Sequence, residues 1–380
     1  MQKIDKSLFG GVETLGVESA SIKCIVFLKN GFPKVIFKNL VGEQNICEYF
    51  PFLNAYVIKI KKSELKKLAS FEIVEYVSSI QKASILLFNA RKYLRIDEIH
   101  KLGYNGLGVT VAVIDTGCYP HLDFCLGHNR IVEFVDLVNN QSYPYDDNGH
   151  GTFVCGVLGG SGLVFNKKYK GIAPNSNLVV IKALDKNGET TASTILSAMQ
   201  WVLDNKERLN IKVVCMSFGS NPLDGYDPLM EGAKVLWENG ICVVCAGGND
   251  GPNEQTIKSP GACPNVITVG SSAKLDEEKE IDVAPFSSRG PAFDYVKPDI
   301  IAPGVEIVST TNGTDFYSTM SGTSVSTPFV AGICALLLQK DKTLMPNEIK
   351  SILMSNAQKL SDGNNAAGSG FVCVDKIFFN

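Results

Sequence analysis

GVTVAVIDTG, residues 108–117, is a continuous apolar run that stops at Asp-Thr-Gly. A strand exposed on one face alternates apolar and polar residues. A run without alternation marks a strand buried on both faces, the usual condition in a parallel sheet. Similar runs recur at LVVIKAL (178–184), VVCMSFG (213–219), ICVVCAGG (241–248) and VITVGSS (266–272). Helical patterns separate them, as in STILSAMQWVLDN (193–205) and LMEGAKVLWENG (229–240). Strand–helix alternation of this kind predicts an α/β domain with a mostly parallel sheet flanked by helices. Functional groups in such sheets gather where strands end at their carboxyl edge, and Asp115 and Asn249 both fall just past strand-like runs.

The chain has four histidines, and three lie in ordinary surroundings: His100 in a helical stretch, His121 after a Tyr-Pro turn, His128 in a polar loop. His150, in DDNGHGTFVCGVLGG, sits between two glycines at the start of an amphipathic helix. A base there projects into a cleft with little crowding from its neighbours. Ser324 lies in TMSGTSVSTPFVAGICALLL, where Gly322 permits a tight approach and Pro328 falls in the first turns of a helix. The helix N-terminus favours negative charge developing beside the serine. A serine hydroxyl needs a base within hydrogen-bond reach to become a nucleophile, and a buried aspartate can hold that base in the required tautomer. Taken alone, Ser324 also reads as a helix N-cap.

Three blocks in the order aspartate, histidine, serine resemble the subtilisin-like serine proteases: AVIDTG (112–117), NGHGTFVCG (148–156) and SGTSVSTPFVAG (321–332). CAGGNDG (245–251), FSSRGP (286–291) and KPDIIAPG (297–304) extend the resemblance from about residue 96 to the C-terminus. The resemblance implies a subtilisin-like fold and a serine endopeptidase with Asp115, His150 and Ser324 as its triad. It also implies Asn249 as the side-chain donor of the oxyanion hole, and an acyl-enzyme chemistry that requires no cofactor. Protein or peptide substrates would lie against SFGSNP (217–222) and CAGGNDG, which supply Ser217, Phe218, Gly219, Ala246 and Gly247. Lys258, in TIKSPG (256–261), stands at the base of the specificity pocket where a glycine is common. Two readings stay open there: an ammonium that attracts an acidic side chain, or a lysine that snorkels to solvent and leaves the pocket apolar.

The chain departs from the family pattern at Phe153 and Phe329, where histidines are usual. Related enzymes bind structural calcium through a loop after the histidine helix and an aspartate after the first strand. Asp123 matches that aspartate and is the candidate metal ligand, but the loop GGSGLVFNKKYKG carries three lysines where oxygen ligands are wanted, which argues against calcium at that loop and leaves structural calcium open.

Residues 1–83 read as a small α+β unit, with strands at 21–29, 33–40, 53–61 and 72–79 and a helix at 63–71. This order resembles the ferredoxin-like inhibitory propeptide of the same family, an intramolecular inhibitor and folding aid. A permanent regulatory domain is the alternative. Residues 84–95 read as a linker, with a maturation cut expected within 80–90, and 96–380 as the catalytic domain.

Composition limits the other possibilities. A net charge of −3 gives no chain-wide attraction to nucleic acid or acidic lipid. No segment approaches the run of about 18 apolar residues that a membrane span needs, and the N-terminus lacks the apolar core of a secretory signal. The eleven cysteines, several inside apolar runs, read as core residues of a reducing compartment, and a cytoplasmic location is expected. Cys242 and Cys245 form a C-x-x-C without a second metal-ligating pair, so they too read as core. A retired protease scaffold conflicts with four intact site residues. A nucleotide-binding protein conflicts with the lack of a phosphate-binding glycine motif.

Overall fold

The computed structural model of the chain describes residues 3–4, 21–79, 86–276, 280–313 and 316–379. By contact density the chain divides into two units, Met1–Ser84 and Ile85–Asn380.

The N-terminal unit contains β1 (Ser21–Leu28), α1 (Lys34–Val41), β2 (Ile46–Phe50), β3 (Ala55–Lys61), α2 (Leu65–Ser70) and β4 (Val74–Ser79). The sheet runs β2-β3-β1-β4 with every neighbouring pair antiparallel, which is the ferredoxin-like arrangement. Cys24 and Val26 of β1 pair with Ile58 and Tyr56 of β3, and all four side chains are buried. The stretch 33–40, expected as a strand, is instead helix α1, and the second strand lies at Ile46–Phe50. The β-branched Val35 and Ile36 suggested a strand, yet both are exposed, while Phe37 is buried and stacks against Tyr56 at a centroid distance of 5.1 Å. The crossover from β1 to β2 needs a helix covering the sheet, and that packing overrides local propensity.

The C-terminal unit opens with α3 (Leu86–Tyr93) and α4 (Ile96–Lys101). Residues 84–95 are therefore largely helical rather than an open linker. Ala90 and Leu94, four residues apart, face the main core. One such pair is too short a pattern to read from sequence. Then follow β5 (Thr110–Asp115), α5 (Leu122–Cys125), β6 (Ile131–Asp136), α6 (His150–Gly159), β7 (Asn177–Lys182), α7 (Ala192–Leu209), β8 (Ile211–Met216), α8 (Pro228–Glu238), β9 (Cys242–Ala246), β10 (Ile267–Ser272) and β11 (Ile300–Pro303). A two-stranded hairpin, β12 (Ile307–Thr310) and β13 (Tyr317–Met320), precedes α9 (Thr323–Lys340).

Seven parallel strands run in the order β11-β10-β9-β8-β5-β7-β6. From β5 the chain moves to one side through β6 and β7, then returns to the other side at β8. The crevice beyond the carboxyl ends of β5 and β8 is therefore the topological switch point, the place where α/β sheets hold their sites. Helix α9 passes through the core: every residue from Val325 to Leu338 is buried, Phe329 among them. A helix apolar all round has to be enclosed, and its N-terminus is thereby held rigidly at the crevice.

All eleven cysteines are free thiols. Cys242 and Cys245, an odd number of residues apart on β9, point to opposite faces of the sheet and do not meet. Cys242 Sγ instead lies 3.7 Å from Cys334 Sγ of α9. Among the described residues no helix is long and apolar enough to cross a membrane.

Candidate active site

Asp115 is the last residue of β5 and is fully buried. His150 is the first residue of α6, and its Nδ1 lies 2.8 Å from Asp115 Oδ1, which also accepts the Thr116 N–H at 2.7 Å. Two strictly local features bring the pair together. Gly151 has no Cβ, and one placed there would sit 2.1 Å from Gly117 O, while one on Gly117 would sit 2.2 Å from Tyr145 O, so each glycine admits a close backbone approach. Asp146 then organises the turn before α6: it accepts from the N–H groups of Asn148, Gly149 and Thr152 and from the hydroxyls of Thr116 and Thr152. Burial lowers the His150 pKa, but the charge and hydrogen bond of Asp115, with Asp146 behind, outweigh it and leave the value raised.

Ser324 is the second residue of α9 and half-buried. Gly322 occupies the N-cap position and no side chain caps the helix, so the hydroxyl of Ser324 has no capping role. A point one Cβ bond above Gly322 lies 3.1 Å from Ser324 Oγ and 3.4 Å from Asn249 Nδ2, so the serine oxygen and the asparagine amide converge on one spot. Thr323 holds the amide in that orientation. Its N–H and hydroxyl donate to Asn249 Oδ1 at 2.9 and 3.1 Å, which leaves the NH₂ group pointing outward. No hydrogen bond joins Ser324 Oγ to His150 among the described residues; such contacts tighten when a substrate occupies the cleft.

Sequence reasoning missed Asp146, Thr323 and Lys182. Lys182 ends β7 fully buried, and its ammonium donates to Thr116 O, Asp147 Oδ1 and Leu184 O, at 2.7, 2.6 and 3.0 Å, under the aspartate turn. Asp146 and Thr323 each sit a few residues from a predicted site residue, and proximity in sequence was the one available signal.

The segments expected to flank and floor the specificity pocket lie together. Lys258 N donates to Gly247 O, and Ser220 and Ser259 exchange both backbone hydrogen bonds, so the base is stitched to both walls. Ser217 and Ala246 are buried, Phe218 is half-buried, and the stem of Lys258 fills the space that a Cβ on Gly219 or Gly248 would need. The Lys258 ammonium is ion-paired with Asp250 and bonded to Asn221 Oδ1. Its charge is thus paired within the protein, with Asp250 itself 56% exposed.

Asp123 does not resemble a cation ligand here. Its carboxylate accepts from the Tyr317 hydroxyl at 2.5 Å, the Ser161 hydroxyl at 3.4 Å and the Val164 N–H at 3.3 Å. Burial and that bond push the Tyr317 phenol well up, so it stays a donor. Among the described residues no group of three or more His, Cys, Asp or Glu side chains is placed to hold a metal ion.

A buried carboxylate orienting an imidazole at the start of α6, and a serine that caps nothing near a fixed amide at the start of α9, are the parts a nucleophilic hydrolase uses. The subtilase family model matches residues 106–372, and the chain belongs to that family, the subtilisin-like serine endopeptidases. It is 41% identical over 295 residues to serine protease AprX of Bacillus subtilis (strain 168), covering 70% of this chain and 65% of AprX. The chain thus spans just under two thirds of that relative's length. Subtilisin DY of Bacillus licheniformis is 34% identical over 285 residues, covering 74% of this chain and 95% of that protein. Among solved structures, a cold-adapted subtilisin-like serine proteinase superposes with TM-score 0.58 and 33% identity, covering 71% of this chain and 88% of that one. The S41 psychrophilic protease gives TM-score 0.64 and 28% identity, covering 71% of this chain and 92% of that one.

Proposed function

We propose that this chain is the autoprocessed zymogen of an endopeptidase that hydrolyses peptide bonds through an acyl-enzyme. The observations that support the reading are the Asp115–His150 pair at 2.8 Å at the start of α6, the packing of α6 against α9, and the convergence of Ser324 Oγ and Asn249 Nδ2 at the start of α9. Ser324 Oγ attacks the scissile carbonyl as His150 Nε2 takes its proton. Asp115 stabilises the resulting imidazolium. The oxyanion accepts from Asn249 Nδ2 and the Ser324 N–H, at the positive end of α9. The tetrahedral intermediate collapses when His150 returns its proton to the leaving amine, and water repeats the sequence to release the acyl group. Replacing Asn249 by alanine is expected to lower kcat about 10²–10³-fold with KM little changed, read from steady-state peptide hydrolysis. A variant with raised KM and unaltered kcat would place Asn249 in ground-state binding instead.

In this reading the ferredoxin-like N-terminal unit is an intramolecular inhibitor and folding aid. The processing interval begins at residues 80–85, which lie outside the described residues. Leu86–Tyr93 is helical, and a protease cleft takes its substrate extended, so the cut falls before Leu86. Intact mass of the full-length protein followed over time, beside Ser324→Ala, tests this. The wild type is expected to split between about residues 80 and 86, in the segment read from sequence as a linker, while the variant stays whole. If the wild type stays whole and also resists a serine-directed phosphonate, the catalytic reading fails. A cytoplasmic site of action is part of the proposal, supported by eleven unpaired cysteines, eight of them buried in the two cores or beside them.

A further inference from the structure

Arg91, from α3, is 3% exposed; both terminal nitrogens of its guanidinium meet oxygen, while Nε is buried without a partner. Nη1 donates to the backbone carbonyls of Lys170 at 2.9 Å and Lys167 at 3.1 Å, with Lys168 O at 3.5 Å. Nη2 donates to both carboxylate oxygens of Asp97 on α4 at 2.8 Å. The three carbonyls belong to loop 160–171, which leaves the C-terminus of α6 and returns to the core at Ile172. The loop folds tightly on itself: Lys167 N–H donates to Gly162 O at 2.7 Å and Gly171 N–H to Gly160 O at 2.7 Å. Asn166 and Lys167 both adopt positive φ, 50° and 67°. Carbonyl oxygens turned inward on one point repel one another unless a positive group sits among them, and hard cations are usually that group.

We propose that the Arg91 guanidinium is the built-in cation around which loop 160–171 folds, doing the work of a structural metal ion. A planar fork suits this task, since it offers separate donors to the loop carbonyls on one side and to a balancing carboxylate on the other. The loop's own charge opposes a competing divalent ion: the three carbonyls belong to Lys167, Lys168 and Lys170, and the pKa of Lys170 is lowered by burial and then by Arg91. Asp123, the nearby carboxylate, is occupied by Tyr317, Ser161 and Val164. α4 supplies a second tie, His100 Nε2 to Ile172 O at 2.8 Å. Residues 86–101 are therefore a working part of the catalytic unit, and chelators leave the loop folded.

The test uses the full chain in a Ser324→Ala background, so that self-cleavage cannot erode the sample. Thermal melting and hydrogen exchange over 160–171 are measured with millimolar EDTA, with millimolar calcium and with neither. The parent is expected to melt at one temperature in all three, with equal loop protection. Arg91→Ala is expected to lower Tm by about 2–6 °C, the effect of leaving the loop carbonyls without their donor while Asp97, 45% exposed, regains water, and to speed exchange in the loop while β5 and α9 stay protected. Arg91→Lys is expected to recover less than half of the loss, because an ammonium cannot serve both sides. Calcium that restores loop protection to Arg91→Ala would support a cation site emptied by the substitution. A parent destabilised by EDTA, or one whose loop gains protection from calcium, overturns the proposal. So does an Arg91→Ala loop that exchanges like the parent, or an Arg91→Lys protein equal to it. If Arg91→Ala does not fold, the parent's response to EDTA and calcium decides alone.

Discussion

Ser324→Ala is expected to lower kcat by a factor on the order of 10⁶ and to leave the fold as it was. Both halves follow from where the serine sits. Its hydroxyl caps nothing, since Gly322 holds the N-cap position, and alanine is the better helix former in the first turn of α9. Thermal melting of the variant should therefore match the wild type. The loss in rate follows from the chemistry: with no oxygen to attack, no acyl-enzyme forms. What remains is the oxyanion site of Asn249 and the backbone acting on a water molecule. Single-turnover hydrolysis of a peptide ester and circular-dichroism melting check the two halves separately. A folded variant within tenfold of the wild type would move the nucleophile elsewhere.

Asp115→Asn is expected to lower kcat by about 10⁴ and to shift the acid limb of the pH–rate profile downward. Asp115 is fully buried, and its Oδ1 holds the Nδ1 side of His150 at 2.8 Å. An amide of the same shape lacks the charge that stabilises the imidazolium and can present an NH₂ to the ring, which then adopts the wrong tautomer. The pH effect has a definite sign. In the wild type the His150 pKa is raised above its ordinary value of 6.5, so the base is free only above that raised value and activity climbs through it. Removing Asp115 leaves burial as the leading influence, which lowers the pKa, so the limb moves to lower pH even as the plateau falls. The same shift carries a stability consequence. The raised histidine stabilises the folded wild type fully below pH 6.5, and this contribution is lost as pH rises through the folded-state value. A kcat/KM profile with an unmoved acid limb would mean that His150 is not the titrating base.

Much of the catalytic unit was legible in the chain because its strands are buried on both faces. β5, β7, β8, β9 and β10 stand out as unbroken apolar runs, and the long helices α7 and α8 as periodic ones. The edge strand β6 and the four-residue β11 were missed, being short or mixed in polarity. In the N-terminal unit α1 was misread as a strand, because its exposed Val35 and Ile36 carry the β-like signal and only Phe37 reports the buried face.

The sequence by itself determined which atoms are available for chemistry: an aspartate after a buried strand, a histidine between glycines, a serine opening an apolar helix, and their order along the chain. Those depend on local pattern, because a strand end or a helix start is set by residues within a few positions. The tertiary structure alone decided which charges are spoken for. Lys258 is paired with Asp250, Asp123 is claimed by Tyr317 from 194 residues away, and Arg91 reaches carbonyls 76 to 79 residues downstream. Electrostatic and hydrogen-bond partnerships depend on separation in space and on burial, and neither can be read from neighbours in the chain.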